Sequence, residues 1–311
     1  MQSTGKELRD NEKEFNLTEM QSAYLVGRKI SLSGCHTYTE YTLNNLDVEK
    51  LELAWNILIK NHSILRSVIT KNGKGHVSEY KPYKIKENII NTTLDMCYVK
   101  IFREKFVHRI FDVESYPLYE IVVSRFTDKN IIHFVIDSWI IDAVSIETLL
   151  TQWKRLYLNC NYPISFPTKT FPDAIKLIEN QKNMVSYKSD EQYWKNKNSK
   201  FENISAFELN SNIDSFSKEI LLKEFSLNEF SIIKKFALKN NILLTPFLLG
   251  TFIQTLNDFS ESKHFAVICT NQNRPKEVKE INDIVGSFTS STILWSDKSK
   301  DSFVSEIDMY K

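Results

Sequence analysis

The stretch Asn130-Ile131-Ile132-His133-Phe134-Val135-Ile136-Asp137-Ser138-Trp139-Ile140-Ile141-Asp142-Ala143-Val144-Ser145 decides the reading of the fold. Its first seven residues form a short, β-branched apolar run of the kind that makes a buried strand. Beyond Ser145 the period changes. Ile146, Leu149, Leu150, Trp153, Leu156 and Tyr157 recur at three- and four-residue spacing, which is one apolar face of a helix. Between strand and helix stand two carboxylates and a hydroxyl in D-x4-D-x2-S spacing: Asp137, Asp142 and Ser145. A polar signature on such a turn lies where a scaffold presents side chains to a ligand. In the strand, 133, 135 and 137 share one face and 132, 134 and 136 the other, so the apolar side points to the core and Asp137 away from it.

Outward from this stretch, strands and helices alternate. Residues 40–43 read as strand, 48–61 as a helix with Leu51, Ala54, Trp55, Leu58 and Ile59 on one side, and 65–70 as strand. A helix is expected over 102–111 and a strand over 117–126. Pro163, Pro167 and Pro172 break the pattern and mark a boundary. Polar residues 195–212 read as linker, 218–225 as strand, 227–240 and 245–259 as helices, and 264–270 as strand. The chain is therefore expected to be α/β (α+β), with a first lobe over 1–180, a linker over 181–215 and a second lobe over 216–311.

Composition narrows the function. With 40 basic and 39 acidic residues the formal charge is +1, which gives no footprint for nucleic acid or an anionic membrane. The amino terminus has no apolar signal region, and the longest apolar stretch, 241–256, is broken by Thr245-Pro246, so a cytoplasmic protein without membrane spans is expected. Cys35, Cys97, Cys160 and Cys269 form no C-x-x-C pair. Among seven glycines no phosphate-cradling loop occurs. The Asp137 and Asp142 spacing matches no metal-ligand pattern, so no metal site is expected.

Several segments carry a resemblance. Phe15-x-Leu17-Thr18-x2-Gln21-x-Ala23-Tyr24-x2-Gly27-Arg28 resembles the opening motif of heterocyclisation domains of nonribosomal peptide synthetases, members of the condensation-domain superfamily. Asn61-His62-Ser63-Ile64-Leu65-Arg66 is similar to the second family motif, which usually begins with Arg. The D-x4-D-x2-S nonapeptide resembles the heterocyclisation counterpart of the H-H-x3-D-G motif of ordinary condensation domains. Thr245-Pro246, Asn271-Gln272-Asn273-Arg274-Pro275 and Gly286-Ser287-Phe288-Thr289 follow in family order, the last usually with Asp at the place of Ser287.

The resemblance implies two lobes similar to chloramphenicol acetyltransferase, set in a V around a tunnel. It implies donor and acceptor peptidyl carrier proteins as partners, delivering thioesters on phosphopantetheine arms, and an adjacent adenylation domain or subunit. The implied reaction joins an acyl or peptidyl thioester to carrier-bound Cys, Ser or Thr and cyclodehydrates the product to a thiazoline or oxazoline, as in siderophore or antibiotic biosynthesis. No cofactor bound directly to the chain is implied. Asp137, Asp142 and Ser145 become the candidate catalytic residues, with Arg66, Arg28 and Tyr24 as structural support and an Asp142–Arg66 ion pair expected.

Local readings stand beside these. Asp142 fits a helix N-cap, Ser145 a capping or solvated hydroxyl, and His133 a packed strand histidine. Late family motifs bearing a Thr and an Asp are missing after Gly286-Ser287-Phe288-Thr289, so the second lobe is expected to be incomplete and its apolar helices to cause poor solubility or dimerisation. A fragment of a larger synthetase, a split subunit and a decayed copy all fit that expectation. Two alternatives to heterocyclisation remain: a non-catalytic condensation-like module that docks carrier proteins, and a stand-alone thioester-dependent acyltransferase.

Overall fold

The computed structural model describes residues 13–31, 34–181, 185–198, 223–259 and 264–297. The chain divides into two compact units: Met1–Lys188 with Asn271–Ser290, and Ser189–Thr270 with Ser291–Lys311. Residues 271–290 thus group with the first unit, where the sequence reading had them in the second lobe.

The first unit is built on a four-stranded mixed sheet. In chain order its elements are β1 (Glu14–Phe15), α1 (Glu19–Ser31), β2 (His36–Leu43), α2 (Val48–Asn61), β3 (Ser67–Ile69), β4 (Gly75–Val77), β5 (Lys86–Ile89), α3 (Met96–Val107), β6 (Tyr119–Arg125), β7 (Asn130–Asp137), α4 (Ala143–Leu158) and α5 (Phe171–Gln181). The sheet order is β2-β7-β6-β5, antiparallel except for the parallel β5–β6 pair. Every residue of β7 is buried. Phe134 meets Trp55 of α2 at 5.3 Å and Trp153 of α4 at 5.7 Å between ring centroids. On the opposite face His133 stacks on Phe102 and Phe106 of α3. Both faces of β7 are therefore roofed by helices, which accounts for its unbroken apolar run better than a one-sided alternation would.

A small sheet, β1-β4-β3, carries Phe15 opposite Gly75. A Cβ on Gly75 would lie 2.2 Å from the Phe15 ring, so this close approach requires glycine. Phe15 continues into the core, edge-on to Phe171 of α5 at 5.6 Å.

Three expectations shift. The helix expected over 102–111 is found at Met96–Val107 because Asp95 caps it, accepting from the Cys97 amide at 2.8 Å. The strand expected from 65 begins only at Ser67, since Ser63–Arg66 close a turn of 3₁₀ helix. Pro172 opens α5 instead of breaking it, as the first turn of a helix tolerates proline.

The second unit contains α7 (Leu227–Lys239) and α8 (Leu244–Phe259), preceded by α6 (Val185–Asn198), which crosses the division between units. Ser226 and Glu229 form a capping box at the start of α7. The expected strand at 218–225 lies mostly outside the described residues, and Lys223 to Phe225 have no regular structure. The linker expected over 195–212 is helical to Asn198 and otherwise lies outside the described residues. Strands β8 (His264–Gln272) and β9 (Thr289–Asp297) pair as a two-stranded sheet. Leu227, Ile232, Leu238, Phe252 and Phe259 are exposed on α7 and α8, although both helices are rich in apolar residues. Among the described residues no single helix is long and apolar enough to cross a membrane.

Candidate active site

The turn from β7 to α4 places the motif carboxylates at its two ends. Asp137, the last residue of β7, donates its amide to Leu118 O at 2.9 Å and accepts the Trp139 amide on Oδ1 at 2.8 Å, which folds the chain back at Ser138. Asp142 is the N-cap of α4, its Oδ1 accepting from the Ser145 amide at 2.7 Å. The capping use read from the sequence is therefore present. Asp137, Asp142 and Ser145 are all buried.

Each carboxylate has its own arginine. Arg28 Nη2 donates to both oxygens of Asp137, at 2.5 and 2.6 Å, while Arg28 Nη1 donates to Phe111 O at 3.1 Å. Desolvation by burial pushes the Asp137 carboxyl above the usual carboxylate range, and Arg28 opposes it. Asp142 is paired with Arg274, whose Nη2 reaches both Asp142 oxygens at 3.0 Å.

The expected Asp142–Arg66 ion pair is thus corrected. Arg66 donates through Nε to Ile59 O at 3.1 Å and through Nη1 to Ser78 O at 2.9 Å, bracing the end of α2 against the residue after β4. Its guanidinium is used on main-chain carbonyls of its own neighbourhood. Arg274 was present in the sequence only as part of a family-like segment, and the pairing spans 132 positions, a distance no local spacing signals.

Around Asp142 the segment 271–290 is held by a closed network. Phe288 N donates to Asp142 Oδ2 at 3.0 Å, and Asp142 N donates to Gly286 O at 3.1 Å. Ser145 Oγ accepts from Arg274 Nη2 at 2.8 Å and from Gly286 N at 3.0 Å, and donates to Gly286 O at 2.9 Å. Arg274 Nη1 meets the carbonyls of Ile281 at 2.7 Å and Ile284 at 3.0 Å, and its guanidinium lies 4.4 Å from the Phe288 ring centroid. Ser287 Oγ donates to Ser138 O at 3.0 Å, tying the same segment to the middle of the motif turn. Gly286 admits no side chain, because a Cβ there would sit 2.0 Å from the Phe171 ring.

The opening motif supplies the other wall. Thr18 and Gln21 exchange side-chain to backbone bonds at the start of α1, a reciprocal cap, and Gln21 Nε2 reaches Trp139 O at 2.8 Å. Tyr24 and Arg28 follow on the same helix. Tyr24 is half-buried, and burial, with Cys35, Asp137 and Asp142 nearby, raises its phenol pKa.

The buried histidines do not approach this turn as bases. His133 is held between Ser124 Oγ, 3.0 Å from Nε2, and Tyr38 Oη, 2.8 Å from Nδ1, and burial lowers its pKa to about 4. His62 is held by Gln152 at 2.6 Å with its pKa lowered likewise to about 4. His133 is the packed strand histidine expected. On the turn itself Ser138 is half-buried and close to Cys35, whose thiol lies 3.5 Å from Ser138 Oγ. Arg274 and Gly286 are the residues that sequence reasoning left without a role here.

Known proteins are similar to this chain over most of its length. Bacitracin synthase 1 of Bacillus licheniformis is 28% identical over 292 residues, covering 90% of this chain and 6% of that protein. Pyochelin synthetase PchF of Pseudomonas aeruginosa is 24% identical over 302 residues, covering 93% of this chain and 17% of that protein. Among solved structures, the EpoB NRPS cyclization-docking bidomain from Sorangium cellulosum has a TM-score of 0.84 at 22% identity, over 98% of this chain and 64% of that chain. The chain spans a small fraction of the synthetases and less than two thirds of the bidomain. The family described as Condensation domain matches from residue 11 to residue 309, a span that takes in both arginine–carboxylate pairs and all of the described elements, and this chain belongs to that family.

Proposed function

We propose that this chain acts within a heterocyclisation domain of a nonribosomal peptide synthetase. In this reading the amine of a carrier-bound Cys, Ser or Thr attacks a carrier-bound acyl or peptidyl thioester. The C–N bond forms as the C–S bond breaks, and the donor arm leaves as a thiol. The acceptor side chain then adds to the new amide carbonyl, and loss of one water leaves the C=N bond of a thiazoline or oxazoline. No oxidant or reductant is consumed.

The observation that carries the reading is Asp137-Ser138 at the place where the ordinary condensation motif has two histidines. Asp137 is bonded to Arg28, and the buried histidines His133 and His62 are held by Ser124 and Tyr38 and by Gln152. A mechanism relying on the motif's own histidine as base is poorly served here. The pyochelin synthetase and the cyclization bidomain among the relatives favour the same reading. Asp142 and Ser145 then serve by holding residues 271–290, and Asp137 by fixing Arg28 and the turn. The partners are donor and acceptor carrier proteins, whose phosphopantetheine arms bring the substrates, with an adenylation domain or subunit beside them.

The test is to incubate the chain with one carrier loaded with an acyl thioester and another with Cys, then to read the intact mass of the acceptor carrier. Acyl transfer with loss of water supports the proposal. Acyl transfer without that loss reduces it to ordinary condensation, and carrier binding without product leaves a docking module.

A further inference from the structure

On α1, Gln21, Tyr24 and Arg28 recur at spacings of three and four and so share one face of the helix. The two outer members grip the motif turn, Gln21 at the Trp139 carbonyl and Arg28 at the Asp137 carboxylate. Tyr24 lies one helical turn from each of them, between the two grips on the same helix face. The strand edge supplies a second approach to the motif turn. Ser138 N donates to Cys35 O at 2.9 Å, and the exposed Cys35 thiol lies 3.5 Å from Ser138 Oγ. Electrostatic proximity of Tyr24 to Cys35, Asp137 and Asp142 agrees with this placement.

What separates Tyr24 from its neighbours on the helix is that its polar end is unused. The amide of Gln21 and the guanidinium of Arg28 are engaged with the turn, whereas the Tyr24 hydroxyl has no hydrogen-bond partner among the described residues and its side chain is only half-buried. We infer that the Tyr24 hydroxyl donates a hydrogen bond to a carbonyl oxygen of the carrier-borne substrate, above Ser138, and is a further residue that contacts and positions that substrate. The inference rests on the proposed thioester chemistry. When an amine attacks the thioester, negative charge builds on the carbonyl oxygen, and a fixed O–H donor stabilises it. Because burial and the adjacent carboxylates disfavour the phenolate, the phenol keeps its proton and acts as a donor throughout. No bond to Tyr24 is made or broken.

Cys35 makes the inference testable whether or not the chain turns over. A pantetheine bearing a terminal chloroacetamide is offered to the protein, and alkylation is followed by peptide mass: the cysteine sulfur displaces chloride to give a thioether. Free chloroacetamide gives the undirected rate, and exposed Cys97 on α3 is the internal reference. The expected result is that the pantetheine probe labels Cys35 about tenfold or more faster than chloroacetamide does, while Cys97 shows no such preference. Tyr24→Phe should abolish the preference at Cys35, leave melting unchanged, and lower kcat for acyl transfer by about a hundred- to a thousandfold, the range for loss of one oxyanion donor. Equal preference in wild type and Tyr24→Phe, or no preference in wild type, overturns the inference. If the preference depends on Tyr24 but no cyclised product forms, the heterocyclisation reading falls and the substrate contact stands.

Discussion

The motif turn carries two buried aspartate–arginine pairs that look alike in sequence and differ in what they hold. Asp137 and Arg28 join the end of a central strand to α1, and β7 is already fixed along its full length by ladders to β2 and β6. Asp142 and Arg274 join the start of α4 to residues 271–290, of which the stretch between β8 and β9 has no ladder of its own. The first pair is an addition to a braced element, and the second is one of the side-chain braces on a segment that has no ladder. A carboxylate's contribution therefore depends on how much backbone would be left without partners once it is removed.

The largest effect is expected at the second pair. Asp142→Ala removes the N-cap of α4, the acceptor for Phe288 N and the counter-charge of Arg274, whose side chain is 7% exposed. A cost of about 3–5 kcal/mol is expected from the uncompensated buried charge. Urea unfolding measures it, and protease cleavage within 273–288 should increase in parallel. A loss under about 1 kcal/mol would remove the distinction between the pairs.

Gly286→Ala comes next. The added Cβ would meet Phe171, which is itself wedged against Phe15 and Phe288 and is 1% exposed, so the ring has little room to retreat. Overpacking of this kind costs about 1–3 kcal/mol. Thermal melting should fall while a Gly286→Ala, Phe171→Leu double variant recovers part of the loss; no recovery would place the strain elsewhere. Ser145→Ala keeps the shape of the site but leaves Gly286 N and Gly286 O without their side-chain partner and takes one acceptor from Arg274. The expected cost is about 1–3 kcal/mol. A double-mutant cycle with Asp142→Ala should be strongly non-additive, because both residues act on the same segment; additive losses would mean that the segment is held at independent points.

How much of this was legible follows the same division. The strand, the turn and α4 could be read because their periods are local, and Asp142 as a cap because a cap needs only the next three residues. Arg28 was marked by its motif, but its pairing with Asp137 was not. Arg66 was assigned to Asp142 and in fact braces Ile59 and Ser78, since nothing in a sequence ranks two distant arginines as partners for one acid. The usable signal for Arg274 was its place in Asn271-Gln272-Asn273-Arg274-Pro275, a polar segment following an apolar strand. Gly286 was equally visible as a family-like segment, yet its reason, the Phe171 ring, belongs to a helix more than a hundred positions earlier.

The smallest effect is expected at Asp137, and pH gives it a sign. Burial raises the native carboxyl above its ordinary value near ~3.9, so between those two values the native state binds more protons than the unfolded chain. Stability from this group is therefore greatest below the ordinary value and is lost as pH rises through the raised one. Asp137→Asn removes the titration and keeps an oxygen to accept from Arg28, which still has Phe111 O. Near neutral pH the variant should lie within about 1 kcal/mol of wild type, because the desolvation it relieves offsets the charge pairing it gives up. Measured by urea unfolding from acid pH upward, it should gain on wild type as pH rises through the raised value. If it instead loses ground over that range, Arg28 outweighs desolvation at Asp137, and the two pairs on the turn are equivalent after all.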